Sequence, residues 1–282
     1  MSIMSTTPSP SRPARPQTVL EVVARNWLTP HLVRLTLGGP GFDDFVSNDA
    51  TDKYIKIFFT KPELELEPPY DVAALRETLA PEDLPVTRTY TVRRVNTEER
   101  TLDVDFVVHG DEGLAGPWAA DAALGDRVVF AGPGGAYTPD LEADWHLFVG
   151  DESAFPAIAA AVESLPEDAR GIAVVEIESE DDRPTLSGPD GVAVHWIIRG
   201  ERTEDTPRLL ADAITALTWL EGRVHVFAHG ERESMKALRE VFITERELER
   251  SQLSLSGYWA HGRAEDRFQA EKREPIGKIF PA

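Results

Sequence analysis

Residues 148–161 read FVGDESAFPAIAAA, an apolar run that breaks at Gly150 and restarts as an alanine-rich helix. Gly150 permits a tight turn, Asp151 or Ser153 can cap the helix, and Pro156 is tolerated in a first helical turn. Strand, turn and helix in that order open a parallel α/β sheet, whose ligands bind beyond the carboxyl ends of the strands. The dinucleotide pattern G-x-G-x-x-G is absent. The stretch therefore reads either as a ligand-facing loop or as a well-capped helix.

The rhythm continues downstream. WHLFVG (145–150), GIAVVEIES (171–179), VAVHWIIRG (192–200) and GRVHVFAHG (222–230) read as buried strands, with helices at 154–166, 207–220 and 231–247. That alternation predicts an open parallel sheet with helices on both faces. Upstream the pattern is different. TVLEVVARNWL and LVRLTLGG are two hairpin arms, DKYIKIFFT alternates polar with apolar, and RTYTVRRV, TLDVDFVVHG and DRVVFAGPGG add further strands. The acidic, proline-rich run 61–86 is an excursion with one short helix near Val72–Leu79. Six strands and a small helix predict a closed antiparallel β-barrel. The expected organisation is a tail over 1–16, a barrel domain over 17–138, and a nucleotide-binding α/β domain with a C-terminal helical extension over 139–282.

Composition excludes several chemistries. The chain has no cysteine among its 282 residues, so disulfides, thiolate nucleophiles and cysteine-ligated zinc or iron–sulfur centres are ruled out. Redox work must then come from a bound cofactor. A net charge of −20 opposes nucleic-acid or anionic-membrane binding across the whole surface, although it does not forbid a local basic cleft. No apolar run approaches the ~18 residues of a membrane span. A cytoplasmic protein, expected to be a monomer, is the reading. The histidines are scattered without ligand spacing, and no protein-bound metal is expected.

Two further stretches carry candidate chemistry. In TRTYTVRR (87–94), Arg88, Tyr90 and Val92 share one strand face, with Thr89, Thr91 and Arg93 opposite. A guanidinium fork that grips phosphate and a ring that stacks on a heterocycle suit a flavin dinucleotide. The same residues also fit an edge strand with solvated arginines. HGDEGLAGPWA (109–119) sets three glycines before a helix. Such a turn offers backbone amides to an anion, or simply starts a helix.

With these motifs in order, and with GYWAHGRAED (257–266) closing the series, the chain resembles the siderophore-interacting proteins. These are FAD-dependent ferric-siderophore reductases of the ferredoxin–NADP reductase-like superfamily. The resemblance spans all but the tail and implies the following roles. Arg88 faces FAD phosphate, Tyr90 stacks on the flavin or its ribityl chain, and Thr91 bonds near the reactive nitrogen, with Thr89 beside it. Asp105, Val107, His109 and Gly110 belong to the flavin-contacting strand and its end. Gly113, Ala115, Gly116 and Trp118 form the pyrophosphate loop. Gly150, Asp151, Glu152 and Ser153 line the nicotinamide side, and Tyr258 and Trp259 lie near flavin or cleft. Members usually carry Ser or Thr at Gly116, Thr at Ser153, and a basic residue where Ala260-His261 stands here.

An acid at the end of the second α/β strand can hold an adenine ribose and repel a 2′-phosphate. Glu176 and Glu178 thus favour NADH, while Arg183 points the other way. The expected reaction passes electrons from NAD(P)H, or from ferredoxin as in some members, through FAD to a ferric siderophore, and Fe(II) is released because hard oxygen donors hold it less tightly. Lys56, Arg199, Arg263, Lys272, Arg273 and Lys278 are the candidate cations for an anionic chelate. A general flavin reductase, an electron-transfer partner of another redox protein, and a siderophore-binding module without turnover remain the alternatives.

Overall fold

Apolar side chains at every second position commit the first half of the chain to strands with one buried face. Leu20 and Val22, Leu35 and Leu37, Ile55 and Ile57, and Val104 and Phe106 all point into one core. The strands are β1 (Gln17–Thr29), β2 (Leu32–Gly38), β3 (Tyr54–Phe59), β4 (Val86–Asn96), β5 (Thr101–Val107) and β6 (Arg127–Gly134). They close an antiparallel barrel in the order β1-β2-β5-β4-β3-β6, as the alternation predicts. The computed structural model describes residues 16–110 and 113–280. The tail expected over residues 1–16 lies outside the described residues except for Pro16, as do Asp111 and Glu112 of the glycine loop.

Helix α1 (Val72–Thr78) sits in the proline-rich excursion and starts at Asp71, whose carboxylate accepts the Ala73 and Ala74 amides. Helix α2 (Ala115–Asp121) stoppers the barrel. Its Trp118 ring meets Phe59 and Phe106 edge-on at 5.4 and 5.8 Å. Contacts of this kind add about 1 kcal/mol each beyond simple burial.

The second half holds β7 (Trp145–Gly150), β8 (Gly171–Ile177), β9 (Val192–Ile198), β10 (Val224–Glu231) and β11 (Leu253–Trp259). All run parallel in the order β11-β10-β7-β8-β9. Helix α3 (Phe155–Glu163) covers one face, and α4 (Leu209–Ala216) and α5 (Arg232–Glu240) cover the other. A last helix, α6 (Glu265–Glu271), follows β11. The four strands expected from sequence are present, and β11 is a fifth. It is an edge strand whose buried Leu253 and Leu255 alternate with Ser254 and Ser256, a weaker signal than a continuous apolar run. Chain order reverses between β7 and β10, which puts the switch-point crevice at Gly150 and His229–Glu231. No helix among the described residues is long and apolar enough to cross a membrane.

Barrel and sheet are joined through buried polar contacts. Arg93 of β4 is buried, and its two terminal nitrogens donate to both oxygens of Glu163 on α3, at 2.8 and 2.5 Å. Tyr137 stacks on His225 at 5.1 Å, and His225 Nδ1 accepts the Asp140 amide at 3.0 Å. Buried His146 lies 6.3 Å from His225, ring to ring.

Burial, with smaller contributions from His225 and Arg223 and some opposition from Asp140, pushes the His146 imidazole down to about 4. The folded state thus prefers neutral His146. Its stability is complete above the ordinary histidine value of ~6.5 and falls as pH drops toward 4. The thermal midpoint of His146→Leu should therefore drop less between pH 7 and pH 5 than that of the parent, in parallel melts.

Candidate functional site

Where the barrel meets the carboxyl edge of the sheet there is a cavity of about 470 Å³. That volume suits a cofactor-sized ligand. It exists because one barrel seam is left unzipped. β4 and β5 pair only over Val92–Asn96 and Thr101–Val104, yet β5 stays on β2 as far as Val107 and β4 stays on β3 from Val86. Beyond Val92 the two strands part, and Thr89, Tyr90, Thr91, Asp105 and Val107 line the gap. Val92 donates its amide to Lys53 on the β3 side (2.8 Å). Strand alternation therefore turns the Thr89 and Thr91 amides toward the parted edge. Exposed Thr89 meets the Glu265 carboxylate there, at 3.2 Å, and the buried Thr91 amide faces the gap.

Tyr90 and Tyr258, both in this wall, are hydroxyl donors at any ordinary pH. Burial first, then Glu265, raises Tyr90 far above the usual phenol value. Burial, then Asp52 and Asp151, does the same to Tyr258. The Tyr90 ring packs on Phe106 at 4.2 Å between centroids, tilted by 37°. Asp105, also in the wall, is already engaged by a two-pronged pair with Arg34 at 2.6 and 2.8 Å.

The sheet side is organised by Asp151, which is 2% exposed. One carboxylate oxygen accepts the Ser153 amide (3.0 Å) and hydroxyl (2.5 Å). The other accepts the Glu231 amide and the Trp259 indole N–H, both at 2.8 Å. Three strand ends, β7, β10 and β11, are thus tied to one side chain. Gly230 makes this possible: its φ is +152°, and a Cβ there would lie 2.8 Å from the Asp151 carboxylate. His229 is buried beside it, bonded through Nε2 to Ser254 Oγ at 2.9 Å. Burial chiefly, and Lys272 in addition, pushes it down to about 3, so it stays neutral.

Several expected ligand residues have other partners. Arg199 is buried among Glu152, Glu176 and Glu178, at 2.9, 3.1 and 3.7 Å. It is an internal counter-ion and not a free cation for a chelate, which corrects that expectation. Glu176 is buried as well. Burial and Asp151 raise its carboxyl to about 7, against the pull of Arg199 and Arg202. Only Glu178 of this acidic pair is open to solvent. Arg183 pairs with its neighbour Glu180 on the surface. Arg263 bonds Glu271 (3.1 Å), and neither Arg263 nor exposed Arg273 and Lys278 line the cavity. Lys56 and Lys272 do line it, and both are exposed.

The structure gathers Thr89, Tyr90, Thr91, Asp105, Val107, His109, Asp151, Glu152, Ser153, Tyr258 and Trp259 around the cavity with those two lysines. Gly150 forms the turn behind them. Gly110, Gly113, Ala115, Gly116 and Trp118 lie off the lining, and Trp118 fills the barrel end. A Cβ on Gly116 would sit 3.0 Å from the Val107 carbonyl oxygen. The close approach of α2 to β5 thus disfavours any side chain there. Arg88 is also off the lining and faces α6 instead, with Glu265 and Asp266 at 3.7 and 3.5 Å.

Sequence reasoning missed Asp52, Tyr54, Pro156, His229, Ser256, Glu265 and Gln269. Some carried a legible signal. Tyr54 alternates with Lys56 on β3, and Ser256 with Tyr258 on β11. Glu265, Gln269 and Lys272 follow one helical row. Phe268 and Glu271, off that row, are buried. Arg232, Arg267 and Arg263 surround the Glu271 carboxylate at 2.6, 2.8 and 3.1 Å and hold it down to about 2. α6 is thereby anchored to α5 and forms the third wall of the cavity.

Comparisons with known proteins agree with this architecture. Residues 21–137 match the siderophore-interacting FAD-binding domain, and residues 143–262 match the siderophore-interacting protein model. An uncharacterized protein of Mycobacterium tuberculosis is 46% identical over 272 residues, covering 92% of this chain and 96% of that one. The ferric vibriobactin reductase ViuB of Vibrio cholerae is 33% identical over 267 residues, covering 93% and 96%. The crystal structure of a siderophore utilization protein from T. fusca superposes with a TM-score of 0.76 at 34% identity, covering 88% and 94%. With an FAD-binding barrel, a parallel sheet behind it and relatives matched over nearly their full length, the chain belongs to the siderophore-interacting protein family.

Proposed function

We propose that this protein is a flavin-dependent reductase that converts a ferric siderophore to its ferrous form, with electrons from NAD(P)H. The observation that carries the reading is the parted β4–β5 seam, opening onto a cavity with Lys56 and Lys272 at its rim. The residues fit FAD. The parted strand edge turns the amides of Thr89 and Thr91 toward a planar hydrogen-bonding ring, Tyr90 offers an aromatic surface, and Arg88 offers a cation for phosphate. When bound, FAD supplies the chemistry that no side chain here can supply, accepting electrons in pairs and releasing them singly.

In this reading the chain's own work is placement. Asp151 holds Trp259 and the β10 end in register, which fixes the wall opposite Tyr90. Neutral His229 and the unionised Tyr90 and Tyr258 add no charge to that wall. Glu152, Arg199 and Glu176 brace the β8 and β9 ends where a nucleotide would approach, and the open Glu178 favours NADH over a donor with a 2′-phosphate. Lys56 and Lys272 attract an anionic ferric chelate to the rim. ViuB, named a ferric vibriobactin reductase, supports the substrate class. The reading includes a monomeric enzyme that frees iron in the cytoplasm.

Purified protein should be yellow, or become so with FAD. With NADH, a ferric siderophore and a ferrous trap it should produce the ferrous signal faster than free flavin does. A colourless protein that refuses FAD, or a rate no better than free flavin, would reject the reading. Tyr90→Ala should weaken FAD affinity on the order of tenfold, measured by quenching of flavin fluorescence. Replacing Lys56 and Lys272 together by alanine should raise the KM for an anionic chelate about fivefold. It should also flatten the salt dependence of kcat/KM while leaving the kcat for an uncharged acceptor unchanged.

A further inference from the structure

Arg88 and the Thr89 amide are the donors that the proposed function reserves for the cofactor, and in this structure both are occupied by the chain itself. Glu265 Oε1 accepts the Thr89 N–H at 3.2 Å, and Glu265 Oε2 lies 3.7 Å from Arg88 Nε. Asp266 Oδ1 lies 3.5 Å from Arg88 Nη1, which also donates to the Thr87 carbonyl at 2.9 Å. The two acids are the first residues of α6, and Glu265 lines the cavity directly.

These contacts are unlike the far end of the same helix. Glu271, 1% exposed, is enclosed by three guanidinium groups. Glu265, in contrast, is opposed at 4 Å or less by Arg88 alone, at longer range, and the Asp266 side chain is 72% exposed. Burial raises the Glu265 carboxyl more than Arg88 lowers it, so that end holds its charge at a cost. α6 is therefore fixed at one end and loosely held at the end that touches the cofactor donors.

We propose that Glu265 and Asp266 are an anionic placeholder for the cofactor. Their carboxylates satisfy Arg88 and the parted β4 edge, and an incoming FAD phosphate and ring must share or displace them. The charge at the start of α6 thus sets cofactor affinity. The same helix carries Gln269, and its C-cap is Lys272, both in the cavity wall, so flavin occupancy and the chelate-facing rim bear on one short element. By linkage, whatever shifts α6 on one side is felt on the other.

This inference rests on the proposed function, and the test separates the two. FAD would be titrated into flavin-stripped full-length parent, Glu265→Gln, Asp266→Asn and, as a net-charge control, Glu240→Gln, each first checked for a parental melting profile. Glu265→Gln should tighten FAD binding about five- to tenfold, Asp266→Asn by a smaller factor of the same sign, and Glu240→Gln not at all. Unchanged or weaker binding in both α6 variants would overturn the placeholder, as would equal tightening in the control. Should Glu265→Gln not fold, the sign in Asp266→Asn decides, because that side chain faces solvent. Failure of every protein, the parent included, to bind FAD would instead overturn the proposed function.

Discussion

The geometry of the site depends on one buried carboxylate. Asp151 has four donors, the Ser153 amide and hydroxyl, the Glu231 amide and the Trp259 indole. Each hydrogen bond to a charged acceptor contributes about 1.5–3 kcal/mol, and a donor left behind without it pays a desolvation penalty. Asp151 thus stands at the switch point as a structural pin. The position that sequence patterning marks as ligand-facing does line the cavity, and its carboxylate is spent on holding the wall together. It fixes where β7, β10 and β11 end, and so where Trp259 and Tyr258 stand relative to the barrel.

The other constraint is an omission. A closed barrel satisfies its backbone by pairing every strand on both sides, yet β4 and β5 separate beyond Val92 and Val104. The consequence is a polar edge that belongs neither to the core nor to bulk solvent. The arginines of TRTYTVRR answer to the same division. Arg93, on the zipped part of β4, is used up in joining barrel to α3 through Glu163, and Arg94 reaches only the outer side of that carboxylate, at 3.9 Å. Arg88, on the parted stretch, has Glu265 and Asp266 at 3.7 and 3.5 Å. Of the three it is the one that stands beside the parted edge.

The fold was legible because its signals are local. Two-residue alternation marks the barrel strands, and apolar runs mark β7, β8 and β10. β11 was harder: its serines dilute the apolar pattern, and it adds to the sheet edge only after the long α5 segment. Around the cavity, the wall residues of β4, β5 and the Gly150 turn were legible from strand faces and from family motifs. Their partners were not. Arg88 and Thr89 meet acids 176 to 178 residues away, and Arg199 meets Glu152 across 47. Nothing in the spacing of charges reveals such pairings, so Arg199 looked like a free cation and proved to be an internal one.

That distinction bears on how a protein of net charge −20 could attract an anionic chelate. Long-range attraction is unavailable, since the surface as a whole repels anions and charges beyond about 10 Å are screened at ordinary salt. Steering must be local, and it must come from cations whose charge is not cancelled at contact. Arg199, Arg263 and Arg88 are each held by carboxylates. Among the described residues Lys56 and Lys272 have no carboxylate within ion-pair distance, and both face solvent at the cavity rim. Holding Arg199, Arg263 and Arg88 against carboxylates has a second effect. It leaves Lys56 and Lys272 as the uncancelled cations of the cavity lining, so that local attraction for an anion centres on the cavity mouth.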